Sequence, residues 1–490
     1  MPFRHGVFVS EEATSLSVPI VAETGVPFFF GTSCITAAEN PAEANVPVLC
    51  TSFDEFADKL GYSEEWGKYN LCEAAYSHFK LFGCQPAIFV NVLDVTGTLT
   101  EVSPTSQSFA SHKLSLPSET VPSTIVLSTT SGGTAWVKDT DYAVTWDAAS
   151  SAWSVELLSG GAQYSATAAY VSYSKLSTAP TDTQLTTGLE SIERCLALGV
   201  IPDLLASPGF SGRTAVAAAM AAKAAAITGI FRAKAVIDIP TDTAAGADTY
   251  DDAAGLKTSS GLTDENEILC WGLLGLGGRI TGGTSYVGGH VFHQSTQLCG
   301  LMASVDADNG APYESPSNKN YRMDCMVVEK TAGSFSPVLL TKAQADYLNS
   351  QGIVTALNFL SRGWVCWGNW TACYPGNADV KDIYIPVSRM FDWIANTCVK
   401  TFWSQIDKPM TRRFVDSIVD SCNIWINGLV GSGKLLGARV EFKQEENPQT
   451  DLMAGIVRLH VYITPPSPAV EIDFVVEYDP EYLNNLFAEG

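Results

Sequence analysis

Basic side chains are scarce. Lysine and arginine together number 29 against 52 aspartates and glutamates, giving a formal charge of -23, which repels nucleic acid backbones and anionic membranes over most of the surface. Histidines number only 6, and with no GxSxG motif beside them no nucleophile and base stand out. The 12 cysteines contain no CxxC pair; scattered through apolar stretches such as NLCEAAY and EILCWGLL, they read as reduced, buried thiols. Long apolar runs are missing too. The opening MPFRHGVFVSEE lacks the apolar core of a signal peptide, and the alanine-rich run 214–230 is interrupted by Lys223. A packed helix and no membrane insertion are expected there.

What is present is globular material. With 490 residues, 46% of them hydrophobic, the chain has enough apolar surface for two to four domains with their own cores. Residues 19–94 alternate strand and helix: VPFFFGTS, then TSFDEFADKLG with Ser52 and Glu55 placed as a capping box, YNLCEAAYSHFKLFG, and PAIFVNVL. From 96 to 135, 18 of 40 residues are serine or threonine; with the alternating runs of WVKDTDYAVTWDAASSAWSVELL around a polar turn, this predicts an inserted, sandwich-like all-β domain over 95–178. The α/β pattern resumes in TQLTTGLESIERCLALG, DLLASPG, the alanine-rich helix and AKAVIDIP. The expected fold is therefore a mixed α/β multidomain protein. An N-terminal strand arm (1–18) precedes a discontinuous α/β core (19–94 and 179–384) split by the β insert, and a C-terminal α+β domain (385–490) follows.

Several stretches invite chemical readings. GLVGSGKL (428–435) begins like a phosphate-binding loop, but Leu435 replaces the magnesium-binding hydroxyl, and the stretch lies between a helical stripe (Phe414, Ile418, Cys422, Trp425, Leu429) and the strand-like GARVEFKQEE. A helix cap and turn fit that order better. GLGGRITGGTSYVGGH (275–290) fails GxGxxG and reads as a loop before the next helix. His290 and His293 are spaced to share a helix face but have no third metal ligand at a telling distance. DADNG (306–310) has its acids out of register for a calcium loop. The sequence thus predicts no catalytic residue, no cofactor and no metal.

The last hundred residues are the most distinctive. PVSRMFDWIANTCVKTFW (386–403) sets Val387, Phe391, Ile394, Cys398 and Phe402 on one helical face, and a second helix follows. VRLHVYI (457–463) and AVEIDFVVEY alternate, the latter with Val470, Ile472, Phe474 and Val476 on one side. HGVFVSE, with Val7, Phe8 and Val9, is a short apolar strand near the other end. Strands at both ends are a hazard unless they pair, and a heterologous pairing with other copies propagates into a polymer.

These residues carry a family resemblance. HGVFVSEEATSLSVPIVAETGVPFFFGTS resembles the opening of contractile phage tail sheath proteins, and GLVGSGKLLGARVEFKQEENPQTDLMAGIVRLHVYITPPSPAVEIDFVVEY is similar to the end of their C-terminal domain. Between them, LMASVDADNGAPYESPSN, WVKDTDYAV and CWGNWTACY resemble further landmarks in the same order. The likeness spans nearly the whole chain and is strongest after residue 385. His5 stands where the family commonly has proline, and Trp370 where it commonly has arginine. The resemblance implies stacked hexameric rings of this chain around a tail tube, contracting without nucleotide to drive the tube through a cell envelope. Its implied partners are other copies, the tube protein, and baseplate and tail terminator proteins, with no direct contact to nucleic acid. The particle would be a phage or phage-like tail assembled in a bacterial cytoplasm. Val7, Phe8, Val9, Val470, Ile472, Phe474 and Val476 would then be the inter-subunit strand arms. Lys408, Arg412 and Arg413, the densest basic cluster, are the candidate tube contact. A nucleotide-binding enzyme and a Ser/Thr-rich surface adhesin are the rival classes.

Overall fold

A computed structural model describes residues 19–97, 99–242, 246–360 and 362–486; Val7, Phe8 and Val9 lie outside them. Short apolar runs with both faces covered form the central sheet, as parallel strands require. Its order is Val48–Cys50, Ala87–Asn91, Pro27–Gly31, Leu204–Ala206, Lys234–Ile239, Glu267–Trp271, Ile353–Leu357, Val365–Trp367. The six inner strands are parallel, and an antiparallel strand closes each edge. Phe28, Phe29, Phe30, Phe89 and Trp271 are buried in the large core that this sheet shares with its helices.

The helix Phe53–Leu60 starts where its cap predicts, with the Ser52 side chain accepting from the Glu55 amide at 3.2 Å. Glu55 reaches back one residue further than a capping box does, accepting from the Thr51 amide at 2.9 Å. Residues 100–175 form two three-stranded antiparallel sheets around their own apolar cluster, which includes Leu127, Trp136, Trp153 and Val171. The glycine-dense stretch after Glu267–Trp271 is not the expected loop. Arg279–Thr281 and Ser285–Val287 form a hairpin in a six-stranded antiparallel sheet, with Arg279–Thr281 at one edge and His290–His293 at the other. Glycine packs Tyr286 there, because a Cβ at Gly278 would lie 2.3 Å from that ring. No helix among the described residues is long and apolar enough to cross a membrane.

Candidate functional site: the C-terminal hairpin and its arm

The helix Ile385–Phe402 joins the last hundred residues to the body. Of the apolar stripe read from sequence, Val387 and Ile394 are buried while Phe391, Cys398 and Phe402 are half-buried. A second, polar stripe at helical spacing faces the body: Arg389, Asp392, Asn396 and Lys400. Arg389, 4% exposed, donates to Asp203 Oδ2 at 2.7 Å and to both oxygens of Asp306 at 3.1 and 2.5 Å. Asp203 also accepts from the amides of Gly25 and Val26, and Asp306 from the Thr24 hydroxyl. Burial holds the Asp306 carboxyl above its ordinary range, and the Arg389 guanidinium pulls it back. Asp392 pairs with Lys234 at 3.0 Å, and the Asn396 amide brackets the backbone of Arg232. Residues 20–24 run antiparallel along the same helix: the amides of Ile20 and Ala22 donate to Thr401 and Thr397, and Lys400 pairs with Glu23. The helix is therefore fixed by directional polar contacts, which hold one orientation more tightly than apolar packing alone.

The second helix, Arg412–Gly431, is capped by Thr411, whose side chain accepts from the Phe414 amide. It ends at Gly433 (φ +77°), with the Gly433 amide donating to Val430 and the Lys434 amide to Leu429. Those two bonds make a Schellman cap, and the strand Gly437–Glu441 follows. GLVGSGKL thus runs helix, turn, strand, the reverse of a phosphate loop. Lys434 Nζ lies 3.5 Å from where a Cβ on Gly310 would sit, at the end of helix Gln294–Asn309, where a cation is favoured.

Strand Gly437–Glu441 pairs antiparallel with His460–Thr464 in a two-stranded sheet. One face covers the second helix through Cys422, Ile426 and Val440, with Leu459 and Val461 packed beside them. The other face is polar and aromatic: Arg439 lies 3.8 Å over the Tyr462 ring, which stacks on His460 at 4.1 Å. The strand expected from residue 457 begins only at His460. Asn447 takes the backbone of Arg458 instead, accepting its N–H at 2.7 Å and donating to its carbonyl at 2.8 Å.

Beyond Thr464, residues 465–479 form no strand with the described residues. Their apolar alternation is bare, with Ile472 72%, Phe474 87% and Val476 93% exposed and Val470 48%. Lys408, Arg412 and Arg413 are exposed around the start of the second helix; Lys408 donates to Gln405 and Arg412 pairs with Asp416 at 2.8 Å. The exposed side chains of Trp403, Ile406 and Met410, which sequence reading passed over, share that connection. Trp370, in the family's arginine position, stacks on Tyr374 with ring centroids 5.5 Å apart.

The remaining candidates have structural employment. His290 and His293 lie on a strand, not a helix. Although burial opposes its charge, the neighbouring Glu73 carboxylate at 2.9 Å raises His293 to about 9. Asp306 of DADNG spends its carboxylate on Arg389. Ten of the cysteines are buried, Cys84 and Cys398 are half-buried, and all are free thiols. Among the described residues, no three His, Cys, Asp or Glu side chains gather as a metal site.

No family model matches the chain. It is 24% identical over 500 residues to the tail sheath protein of Burkholderia phage BcepMu, covering 99% of this chain and 98% of that one. It is 25% identical over 289 residues to a putative prophage major tail sheath protein of Pseudomonas aeruginosa, covering 58% of this chain and 67% of the other. Among solved structures, the sheath complex of the extracellular contractile injection system PVC, in its contracted state, superposes with a TM-score of 0.58 at 14% identity. That match covers 98% of this chain and 99% of the other. The order of motifs and a relative aligned from end to end agree: the chain is similar over nearly its whole length to the tail sheath proteins of contractile phages, and it shares the fold of a contractile injection system sheath.

Proposed function

We propose that this chain polymerises as stacked hexameric rings around a tail tube and contracts to drive that tube through a cell envelope. Neighbours are joined by exchanged terminal strands. The observation that carries this reading is the bare, alternating arm 470–476 beside a hairpin of only two strands. Exposed apolar side chains of this size gain nothing in the isolated chain, and a strand edge is a ready site for another copy. Each backbone hydrogen bond so formed contributes about 0.5–1.5 kcal/mol net. Several per arm, repeated over many subunits, keep the lattice linked while subunits rotate. The rigid polar docking of helix Ile385–Phe402 suits the same purpose, since force entering at the hairpin passes directly to the body. Energy comes from the new interfaces that subunits form with one another as the lattice shortens, with no turnover and no nucleotide, and the baseplate is the trigger.

Lys408, Arg412 and Arg413 are read as the tube contact. Two arginines in the first turn of a helix oppose its dipole, and only Arg412 is offset by a partner on the same helix, Asp416. Beside them, Trp403, Ile406 and Met410 supply the apolar anchors that interfaces concentrate. The partner surface is acidic, with apolar pockets. Assembly takes place in the bacterial cytoplasm, and the product is the tail of a phage or phage-like particle.

Electron microscopy of the purified chain tests the reading. Tubular polymers are expected for the intact chain, and removing the first fifteen residues should abolish ordered cylinders. Undiminished cylinders from the shortened chain would refute strand exchange.

A further inference from the structure

The two long C-terminal helices meet through their aromatic rings and their thiols. Trp393 of Ile385–Phe402 packs on Trp425 of Arg412–Gly431, with ring centroids 5.7 Å apart. Cys398 lies a little over one turn onward along the first helix, and Cys422 a little under one turn back along the second. Phe402 continues the match by packing beside Cys422 and Ile426, together with Ile418. The helices therefore run antiparallel there and their cysteines stand level, sulfur against sulfur in a thiol–thiol hydrogen bond. That bond pulls the Cys398 thiol below its ordinary range, and the same bond, with burial, pushes Cys422 up.

We infer that Cys398 and Cys422 are a redox-active dithiol, a modification site that a low-molecular-weight disulfide such as oxidised glutathione converts into a disulfide between the two helices. Exposure separates this pair from the other thiols. Of the 12 cysteines only Cys84 and Cys398 are half-buried. Cys84 turns its thiol to the carbonyls of Phe82 and Gly300, and burial pushes it up to about 11. Cys34 and Cys72 also lie near each other, but both are wholly buried. Cys398 alone joins access to a neighbouring thiol, the division between nucleophile and resolving partner that redox-active pairs use. Its thiolate attacks one sulfur of oxidised glutathione, forming a mixed disulfide and releasing one glutathione. Cys422, deprotonated in turn, attacks the Cys398 sulfur and releases the second. Two protein thiols are thus oxidised to one disulfide, and one glutathione disulfide is reduced to two thiols, which take up the protons. The bond ties the helix anchored on the body to the helix that carries the hairpin. This chemistry does not depend on the assembly reading above, but its occasion does: a reducing cytoplasm keeps both thiols, and an oxidising exterior closes them once the particle is released.

Oxidised glutathione applied to the folded, full-length chain tests the pair. After the remaining thiols are blocked with iodoacetamide, peptide mapping without reduction should find the Cys398–Cys422 link about tenfold or more above any other link or adduct, and dithiothreitol should reverse it. In Cys422→Ser the reaction should stop with glutathione on Cys398, whereas Cys398→Ser should leave Cys422 unmodified. Hydrogen exchange in both helices of the unaltered chain should slow on oxidation. Because the unaltered chain carries the main measurement, a variant that fails to fold does not decide the matter. Glutathione at Cys84 alone, or at no cysteine, overturns the inference, as does modification of Cys422 in Cys398→Ser. A link that forms in the isolated chain but is missing from released particles overturns only its occasion.

Discussion

Replacing Arg389 with methionine isolates the polar docking of helix Ile385–Phe402. The guanidinium sits between Asp203 and Asp306, with side-chain exposures of 3% for Arg389, 16% for Asp203 and 0% for Asp306. Methionine fills the space but leaves two facing carboxylates, one wholly buried. Removing one partner from such an arrangement costs about 3–5 kcal/mol, roughly two to four decades in the equilibrium between docked and undocked helix. The loss must depend on pH. Asp306 is raised by burial, so without arginine the folded state holds a proton that the unfolded chain has released. Stability is then greatest at low pH and falls as pH rises through the folded pKa. Hydrogen exchange of amides in Ile385–Phe402 should accelerate in Arg389→Met, more at pH 8 than at pH 5, and adding Asp306→Asn should recover part of the loss. Equal deficits at both pH values, or a double variant no better than the single one, would refute the reasoning.

Burial pushes Glu267 up to about 7, so its contribution is present in full below the unfolded value of 4.5 and is lost as pH rises through 7. Glu267→Gln should flatten the pH dependence of melting and stabilise the chain at pH 8 by at most about 3 kcal/mol, read from thermal unfolding at pH 5 and 8. Lys434→Ala should cost about 0.3–1 kcal/mol, the worth of a cation at a helix C-terminus, and leave assembly intact; nucleotide binding abolished by that change would revive the enzyme reading. Arg412→Glu with Arg413→Glu should weaken assembly templated by tubes while leaving the monomer's melting nearly unchanged; normal sheath on tubes would sink the tube-contact assignment.

Much of the fold was legible because its signals are local. The runs PFFFG and KAVIDI are strands in both sequence and structure, since a buried parallel strand needs a short continuous apolar run. Ser52 and Thr411 cap helices by bonding within three residues. Where reading fell short, a distant group decided. Arg279–Thr281 and Ser285–Val287 pair as strands in a glycine-rich stretch where Ser334–Val338, far along the chain, pairs with the second of them. His460–Thr464 starts late because Asn447 captures Arg458 from 11 residues away.

The sequence by itself determined the alternation of strand and helix, the amphipathic helices and the apolar arm, because periodicity and turn chemistry are written in neighbouring residues. It could not determine which polar side chains would be buried together. Arg389, Asp203 and Asp306 are far apart along the chain and meet only when three elements close on them. The Asn423 carboxamide likewise meets the backbone of Val440 only because the second helix packs on the hairpin. Tertiary structure decided these points, since the partner that satisfies a buried charge or a strand's outer edge is chosen by proximity in space, which no local pattern encodes.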